Sequence, residues 1–471
     1  MTLNDAIKIM TDEIVSVLAD NKPTVYLFGS VALGDFKLGW SDIDILVLAE
    51  KEITEQQADI LIGLRQDILK RYPGNPYFRL FEGGILSADA FLCNKNERTV
   101  YWGTSGQRIT DTYKFDSFGM AELLDNGILV YGDDIRVKMK YPSYTQMRDD
   151  IAHHVQAART HGVSVGWLLD IARGIYTLRT GKIIAKTTAG EWALKEGLCP
   201  DLEMLRKAVQ IRKEPQRFSK EDKAVDNTVI QRFANVLDNE FEKQVYIQNP
   251  CGTLSTAYWK KEYFKKPSDI QILHECDAKA QNTYEQPPTR YFRLIHYPQN
   301  HYDTALPDGY FYRNVLLPDE ALLVANFINH CYQGYSLGEE DILQWMQYPV
   351  FDKHLWVCIC NAKTSLPVAL GIADFDSDIS EGSLEWIQVL PESRGRGLGQ
   401  KIVLELLSRL KDKAGFITVS GEVDNPTNPE LLYKKCGFIG DDIWYVFNKS
   451  LVMIFGMFLI NQRCKREPSF T

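Results

Sequence analysis

None of the nine cysteines forms a CxxC pair with another, and they are scattered along the chain. That scatter offers neither a zinc-ribbon spacing nor a disulfide framework, so buried thiols in a reducing compartment are expected. Apolar runs are short as well. The stretch LVMIFGMFLI at 451–460 is about half the ~20 residues that cross a bilayer, and a docked tail strand or helix is expected there. An excess of positive charge is also missing. The formal net charge of −9 argues against a nucleic-acid binder that works by counterion release. The opening MTLNDAIKIMTDEIVSVL reads as an acidic amphipathic helix, without the basic-then-apolar layout of a signal peptide. Together these absences predict a cytoplasmic protein with small-molecule partners, no nucleic acid and no membrane insertion. No repeat at a fixed period is visible, which argues against a solenoid.

What remains is the composition of a folded protein, 45% hydrophobic and 24% charged over 471 residues, enough for two or three domains. An acidic surface would attract polycations such as amino sugars. The texture changes along the chain. Residues 1–142 alternate short β-branched runs (TVYLFGS, IDILVLAE, GGILSADAFL) with helical periods and predict an α/β domain. Residues 143–245 are helical throughout; VGWLLDIARGIYTLRTGK keeps a 3.6 spacing and ends on a glycine suited to a left-handed cap. Residues 246–287, rich in Pro, Lys and Tyr, form a linker or an N-terminal extension of the last domain. Strands and helices alternate again over 288–450, a second α/β domain with a mixed sheet, and 451–471 is a tail. Cys358 and Cys360 alternate along one strand and are expected to share a face.

Two constellations carry chemistry. In LFGSVALGDFKLGWSDIDILVLAE, Asp42 and Asp44 stand two apart on a strand, so their side chains share one face. Carboxylates held together repel unless a cation sits between them, and hard oxygen ligands suit Mg²⁺ with substrate phosphates. Gly29 permits close backbone approach, and Ser30 offers a hydroxyl and an N–H to a phosphate oxygen. Glu82, opening the strand EGGILSADAF, is the third carboxylate, with Asp89 further along that strand less well positioned.

This GS…DxD arrangement resembles the polymerase β-type nucleotidyltransferases, and more narrowly the streptomycin- and spectinomycin-type aminoglycoside adenylyltransferases. LLDIARGIYTLRTGKIIAKTTAGEWAL is similar to that family's helical domain, so about 240 residues are covered. The resemblance implies that Asp42, Asp44 and Glu82 hold Mg²⁺, that Glu82 is the base, and that Arg173 and Lys186 reach the phosphates of ATP. Counted back from Arg173 without a gap, the family's streptomycin-contacting Trp and Asp fall on His154 and Arg159. That departure points to spectinomycin or another aminocyclitol as acceptor.

The second constellation is SLEWIQVLPESRGRGLGQKIVLELLSRL, a strand, a basic glycine-rich turn and a long helix. Gly395, Gly397 and Gly399 let successive N–H groups face one concavity, the helix adds its positive end, and Arg394 and Arg396 add charge. The physics is a pyrophosphate site, and the glycines alone suit other nucleotides equally. The order of residues, with VDNPTNPELLYKKCGF downstream, resembles the GCN5-related N-acetyltransferases (GNAT) over roughly 288–449. In that family the loop matching 394–399, Leu398 included, binds the acetyl-CoA pyrophosphate. Backbone groups matching Val389 and Leu390 hold the pantetheine and thioester. Either Asn425 or Asn428 contacts the pantetheine arm. The resemblance implies that Tyr433 serves as acid for the leaving thiolate and Glu385 as base.

The two resemblances together predict a bifunctional enzyme using ATP, Mg²⁺ and acetyl-CoA, an O-adenylyltransferase joined to an N-acetyltransferase. Two other readings stay open: one domain is a regulatory nucleotide- or acetyl-CoA-binding module, or the acceptor is a protein.

Overall fold

The computed structural model describes residues 1–103, 106–264, 270–278, 287–332 and 336–448. The apolar run 451–460 lies outside the described residues. The chain divides into two compact units between Glu242 and Lys243. No helix among the described residues is long and apolar enough to cross a membrane.

The first unit is built on a six-stranded sheet of β1 (Thr24–Leu27), β2 (Ile43–Ala49), β3 (Phe81–Ser87), β4 (Thr99–Gly103), β5 (Gly106–Thr110) and β6 (Ile128–Tyr131). Its order is β5-β4-β3-β2-β1-β6, with only β2 and β3 parallel among the pairs. β2 is buried on both faces. Ile43, Ile45 and Val47 pack with the helices Leu3–Val17 and Glu55–Arg71, while Leu46 and Leu48 pack with Leu123 and the helix Ala88–Cys93. The first of these helices starts where the sequence suggests, because Thr2 and Asp5 close a capping box that satisfies two orphan N–H groups.

Residues after 143 form the expected helices, Tyr144–His161, Gly166–Thr180, Lys186–Lys195, Leu202–Lys213 and Asn227–Gln248. Their apolar stripes meet in one core around Ile171, Ile175, Leu205 and Phe233. Gly181 closes the second helix at φ +67°, the left-handed cap read from the sequence.

Among the described residues the second unit carries eight strands: β7 (Ile270–His274), β8 (Thr289–His296), β9 (Tyr310–Asn314), β10 (Trp356–Asn361), β11 (Pro367–Asp376), β12 (Glu381–Val389), β13 (Phe416–Glu422) and β14 (Ile439–Asn448). Their order is β7-β14-β8-β13-β12-β11-β10-β9. Cys358 and Cys360 do share a face, in a cluster with Trp356 and Trp386. The opposite face is covered by the helix Leu398–Leu410 through Ile402, Val403, Leu406 and Leu407. Among the described strands of this sheet only β12 and β13 run parallel, and their pairing covers Glu381–Leu384 against Phe416–Val419. Beyond Leu384 the two strands continue without pairing to each other, and the sheet opens there.

Candidate active sites

In the first unit the alternation of β2 sends Asp44 to the face of Leu46 and Leu48, away from Ile43 and Ile45. β3 runs parallel beside it, with Glu82 opposite Asp44 in register. The two carboxylates therefore leave neighbouring strands side by side. Gly29, at φ +61°, opens the short turn after β1, and a Cβ there would lie 2.0 Å from Asp44 Oδ2. Any larger residue would displace that carboxylate, which is the physical reason for glycine at this position. Ser30 Oγ donates to the Asp42 carbonyl at 3.3 Å, which ties the turn to the start of β2.

Electrostatics in this cluster are one-sided. Burial, then Glu122, Asp42 and Glu82, push the Asp44 carboxyl up to about 7. Burial and Glu82 also raise Asp42, against weaker help from Lys186, Arg212 and Arg65. Glu82 itself accepts from the Tyr101 hydroxyl at 3.0 Å. Among the described residues no three His, Cys, Asp or Glu side chains are gathered closely enough to ligate a metal by themselves. Carboxylates that crowd each other in this way fit a divalent cation whose shell is completed by phosphate oxygens.

The cations read from the sequence are engaged by acids that the sequence did not single out. Arg173 Nη1 donates to Glu122 Oε1 at 2.9 Å, and its Nη2 stands 3.6 Å from Asp170 Oδ1. Lys186 Nζ lies 2.8 Å from the same Asp170 oxygen. Glu122 and Asp170 are nearly buried, at 7% and 8% side-chain exposure. Arg159 is occupied by Gln231, Asn235 and Asp238, and His154 Nε2 stands 3.7 Å from Asp170.

One expectation needs correcting. β3 ends at Ser87, whose side chain accepts from Ala90 N and starts the helix Ala88–Cys93. Asp89 sits in the first turn of that helix, paired to Lys95 at 2.5 Å, and takes no part in the cluster. The Ser87 cap is a helix-start signal that a run of apolar residues on either side obscured.

In the second unit, the opening between β12 and β13 leads into a cavity of about 940 Å³. Its wall includes Glu385, Val389, Arg394, Gly395, Gly397, Leu398, Gly399, Asn425 and Tyr433. Gly395 and Gly397 take φ +76° and +77°, so the turn before the helix Leu398–Leu410 has the left-handed residues that a concave run of N–H groups requires. Arg394 Nε donates to the Val389 carbonyl at 3.1 Å, and Arg396 Nη1 to the Tyr310 hydroxyl at 2.8 Å. Leu390 precedes the turn, and its N–H bonds to the Val368 carbonyl. The two asparagines separate by position: Asn425 lines the cavity, whereas Asn428 caps the helix Pro429–Lys435 by accepting from Leu431 N.

Glu385 is the extra residue of a β-bulge. Ile372 pairs with Trp386 and Ala373 with Leu384, leaving Glu385 without a partner on β11. A bulge re-aims the side chain it carries. Glu385 Oε2 stands 2.5 Å from Lys260 Nζ on the helix Tyr258–Tyr263, and its Oε1 accepts from Ser383 Oγ at 2.8 Å. Burial pushes the Tyr433 hydroxyl well above the ordinary tyrosine range, so it keeps its proton at neutral pH. Sequence reasoning missed Lys260, one lysine of a Lys-rich stretch, and Gln388. The latter is buried at 5% exposure on the cavity wall, with neither amide atom hydrogen-bonded among the described residues.

Comparison with known proteins yields three family matches. Residues 12–76 match a nucleotidyltransferase domain, 143–239 the C-terminal domain of aminoglycoside adenylyltransferases, and 352–439 an acetyltransferase (GNAT) domain. No curated protein matches the chain. Among solved structures, a spectinomycin adenyltransferase from Enterococcus faecialis with ATP and spectinomycin is 19% identical. The match covers 50% of this chain and 99% of that one, with a TM-score of 0.38. A GCN5-related N-acetyltransferase from Sphaerobacter thermophilus is 13% identical, covering 45% of this chain and 66% of that one, with a TM-score of 0.34. The ribosomal-protein-S18-alanine N-acetyltransferase of Escherichia coli is 12% identical over 31% of this chain and 96% of that one, with a TM-score of 0.24. The chain thus carries the domains of two transferase classes, nucleotidyltransferase and N-acetyltransferase.

Proposed function

We propose that the first unit transfers AMP from ATP to a hydroxyl of an aminoglycoside-type small molecule, and that the second transfers acetyl from acetyl-CoA to an amine. For the first unit the supporting observation is the crowd of carboxylates on β2 and β3 beneath Gly29. Asp42, Asp44 and Glu82 would hold Mg²⁺, and a bound ion would neutralise charge on the triphosphate. Gly29 and Ser30 cradle phosphate oxygens, and Lys186 and Arg173 balance their charge. Glu82 takes the proton of the acceptor hydroxyl. That oxygen attacks the α-phosphorus, the bond to the bridging oxygen breaks, and pyrophosphate leaves. The match of 143–239 to aminoglycoside adenylyltransferases supports an aminocyclitol acceptor. With Arg159 occupied by side chains of the helix Asn227–Gln248, a spectinomycin-like molecule is the better candidate than streptomycin.

In the second unit the cavity between the opened strands carries the reading. The turn 394–399 takes the pyrophosphate of acetyl-CoA, and the backbone at Val389 and Leu390, where β12 leaves β13, takes the pantetheine and thioester. Asn425 meets the pantetheine arm from the cavity wall. Glu385 accepts a proton from the acceptor ammonium, and the neutral amine attacks the thioester carbonyl. The C–S bond breaks, Tyr433 protonates the departing thiolate, and the amide nitrogen's extra proton restores the phenol.

The test is a panel of aminocyclitols and aminoglycosides incubated with ATP·Mg²⁺ or with acetyl-CoA and read by mass. Gain of an adenylyl group with the first donor and of an acetyl group with the second is the expected result. A panel left unmodified by either donor rejects the small-molecule acceptor.

A further inference from the structure

We propose that Asp170 is a positioning residue for the triphosphate: its buried carboxylate gathers Lys186 and Arg173 from behind and fixes Lys186 beside the catalytic acids. The inference rests on the nucleotidyl-transfer reading of the first unit.

Asp170 lies on the inner face of the helix Gly166–Thr180, where Leu168, Leu169, Ile171 and Ala172 are buried around it. Two cationic side chains and a histidine converge on this one carboxylate from three helices. Lys186 Nζ is 2.8 Å away from the first position of the helix Lys186–Lys195. Arg173 Nη2 is 3.6 Å away, one turn along Asp170's own helix. His154 Nε2, from Tyr144–His161, is 3.7 Å away and its ring packs against Trp167. Burial would push Asp170 up, but Lys186, His154 and Arg173 outweigh it and hold the carboxyl well below its ordinary range.

What Asp170 fixes matters because of where Lys186 reaches. The next residue, Thr187, donates its N–H and Oγ1 to Asp35 at 3.3 and 2.7 Å, which ties the start of this helix to the segment between Ser30 and Asp42, and the Lys186 charge favours the ionised forms of Asp42, Asp44 and Glu122. An ammonium has three N–H donors. Lys186 meets Asp170 as an ion pair, without a hydrogen bond to Asp170 Oδ1, which leaves its donors for phosphate oxygens, and the side chain is still 32% exposed. Arg173 is held from a second side by Glu122. A lysine already fixed in its working direction loses less freedom when the ligand arrives.

Simple electrostatics and positioning predict opposite signs. A carboxylate that only sits near the phosphates repels them, so its removal should tighten ATP binding. A carboxylate that aims the lysine should weaken ATP binding when removed. The experiment titrates full-length protein with ATP·Mg²⁺ and, separately, with AMP, for wild type, Asp170→Asn, Lys186→Met and the double variant. We expect Asp170→Asn to weaken ATP at least tenfold while AMP stays within twofold, and to add nothing further in the Lys186→Met background, because coupled residues are not additive. Unchanged or tighter ATP binding overturns the proposal, as does a full additive loss in the double variant. Loss of AMP binding together with ATP would make Asp170 a packing element and also reject it. A wild type that binds no ATP is a different failure, since it removes the nucleotidyl-transfer reading itself.

Discussion

The two sites handle buried negative charge in opposite ways. On β2 and β3, Asp44 is raised by Glu122, Asp42 and Glu82, and Lys186 compensates in part. Around β12, Glu385 faces Lys260 and Glu381 faces Arg293 at 3.3 Å. The remaining acid, Asp374, is pushed well above its ordinary range by burial and Glu385. Acids crowded beyond what Lys186 and Arg173 offset leave a demand that a metal-bearing, phosphate-bearing substrate can meet. Acids already matched by a lysine and an arginine have no such demand. In the proposed function the second site would use shape, backbone groups and one proton acceptor.

The sharpest way to break this contrast is to neutralise one acid in the first site. Asp44→Asn is expected to cut AMP transfer by about a thousandfold while acetyl transfer stays at its wild-type rate. Mass readout of both products checks it, and EDTA should reproduce the same split. A variant that loses both activities equally would merge the two sites into one. In the second site, Tyr433→Phe should lower the kcat of acetyl transfer by about a hundredfold with little change in the KM for acetyl-CoA. A KM effect alone would make the phenol a binding group. Removing charge from the turn with Arg394→Ala and Arg396→Ala should weaken acetyl-CoA binding by roughly ten- to a hundredfold, read by calorimetry, and leave ATP binding alone.

The smallest effect is thermal. Asp374 binds its proton more tightly folded than unfolded, so its contribution to stability is present below the ordinary carboxylate pKa and is lost as pH rises. Melting curves between pH 5 and 8 should fall more steeply for wild type than for Asp374→Asn. Parallel curves would mean that Asp374 is ionised and paired in the fold.

Legibility in the sequence followed chain distance. Asp42 and Asp44 are two residues apart, and the glycines of 395–399 follow one another, so local spacing carried both motifs. Glu82 was readable because it opens a strand. Glu122 and Asp170 were not, because each reads as an ordinary polar position on an amphipathic helix, and only tertiary packing turns them toward Arg173 and Lys186. Glu385 could be suspected as a base, but not its bulge, which depends on the register with β11. Asp89 was misplaced because the apolar residues on both sides of Ser87 hid a helix cap.

The stretch before β7 has a practical consequence. Tyr246 Oη and Tyr258 N both donate to Glu381, at 2.6 and 3.0 Å, and Lys260 balances Glu385. All three lie upstream of residues 352–439, which match the acetyltransferase family. Trimming the second unit to the familiar domain would strand two interior carboxylates, a penalty of about 3–5 kcal/mol for each broken pair. Any dissection of the acetylating half therefore has to start its cut before Lys243, and inactivity of a shorter piece would report on the scissors rather than on the enzyme.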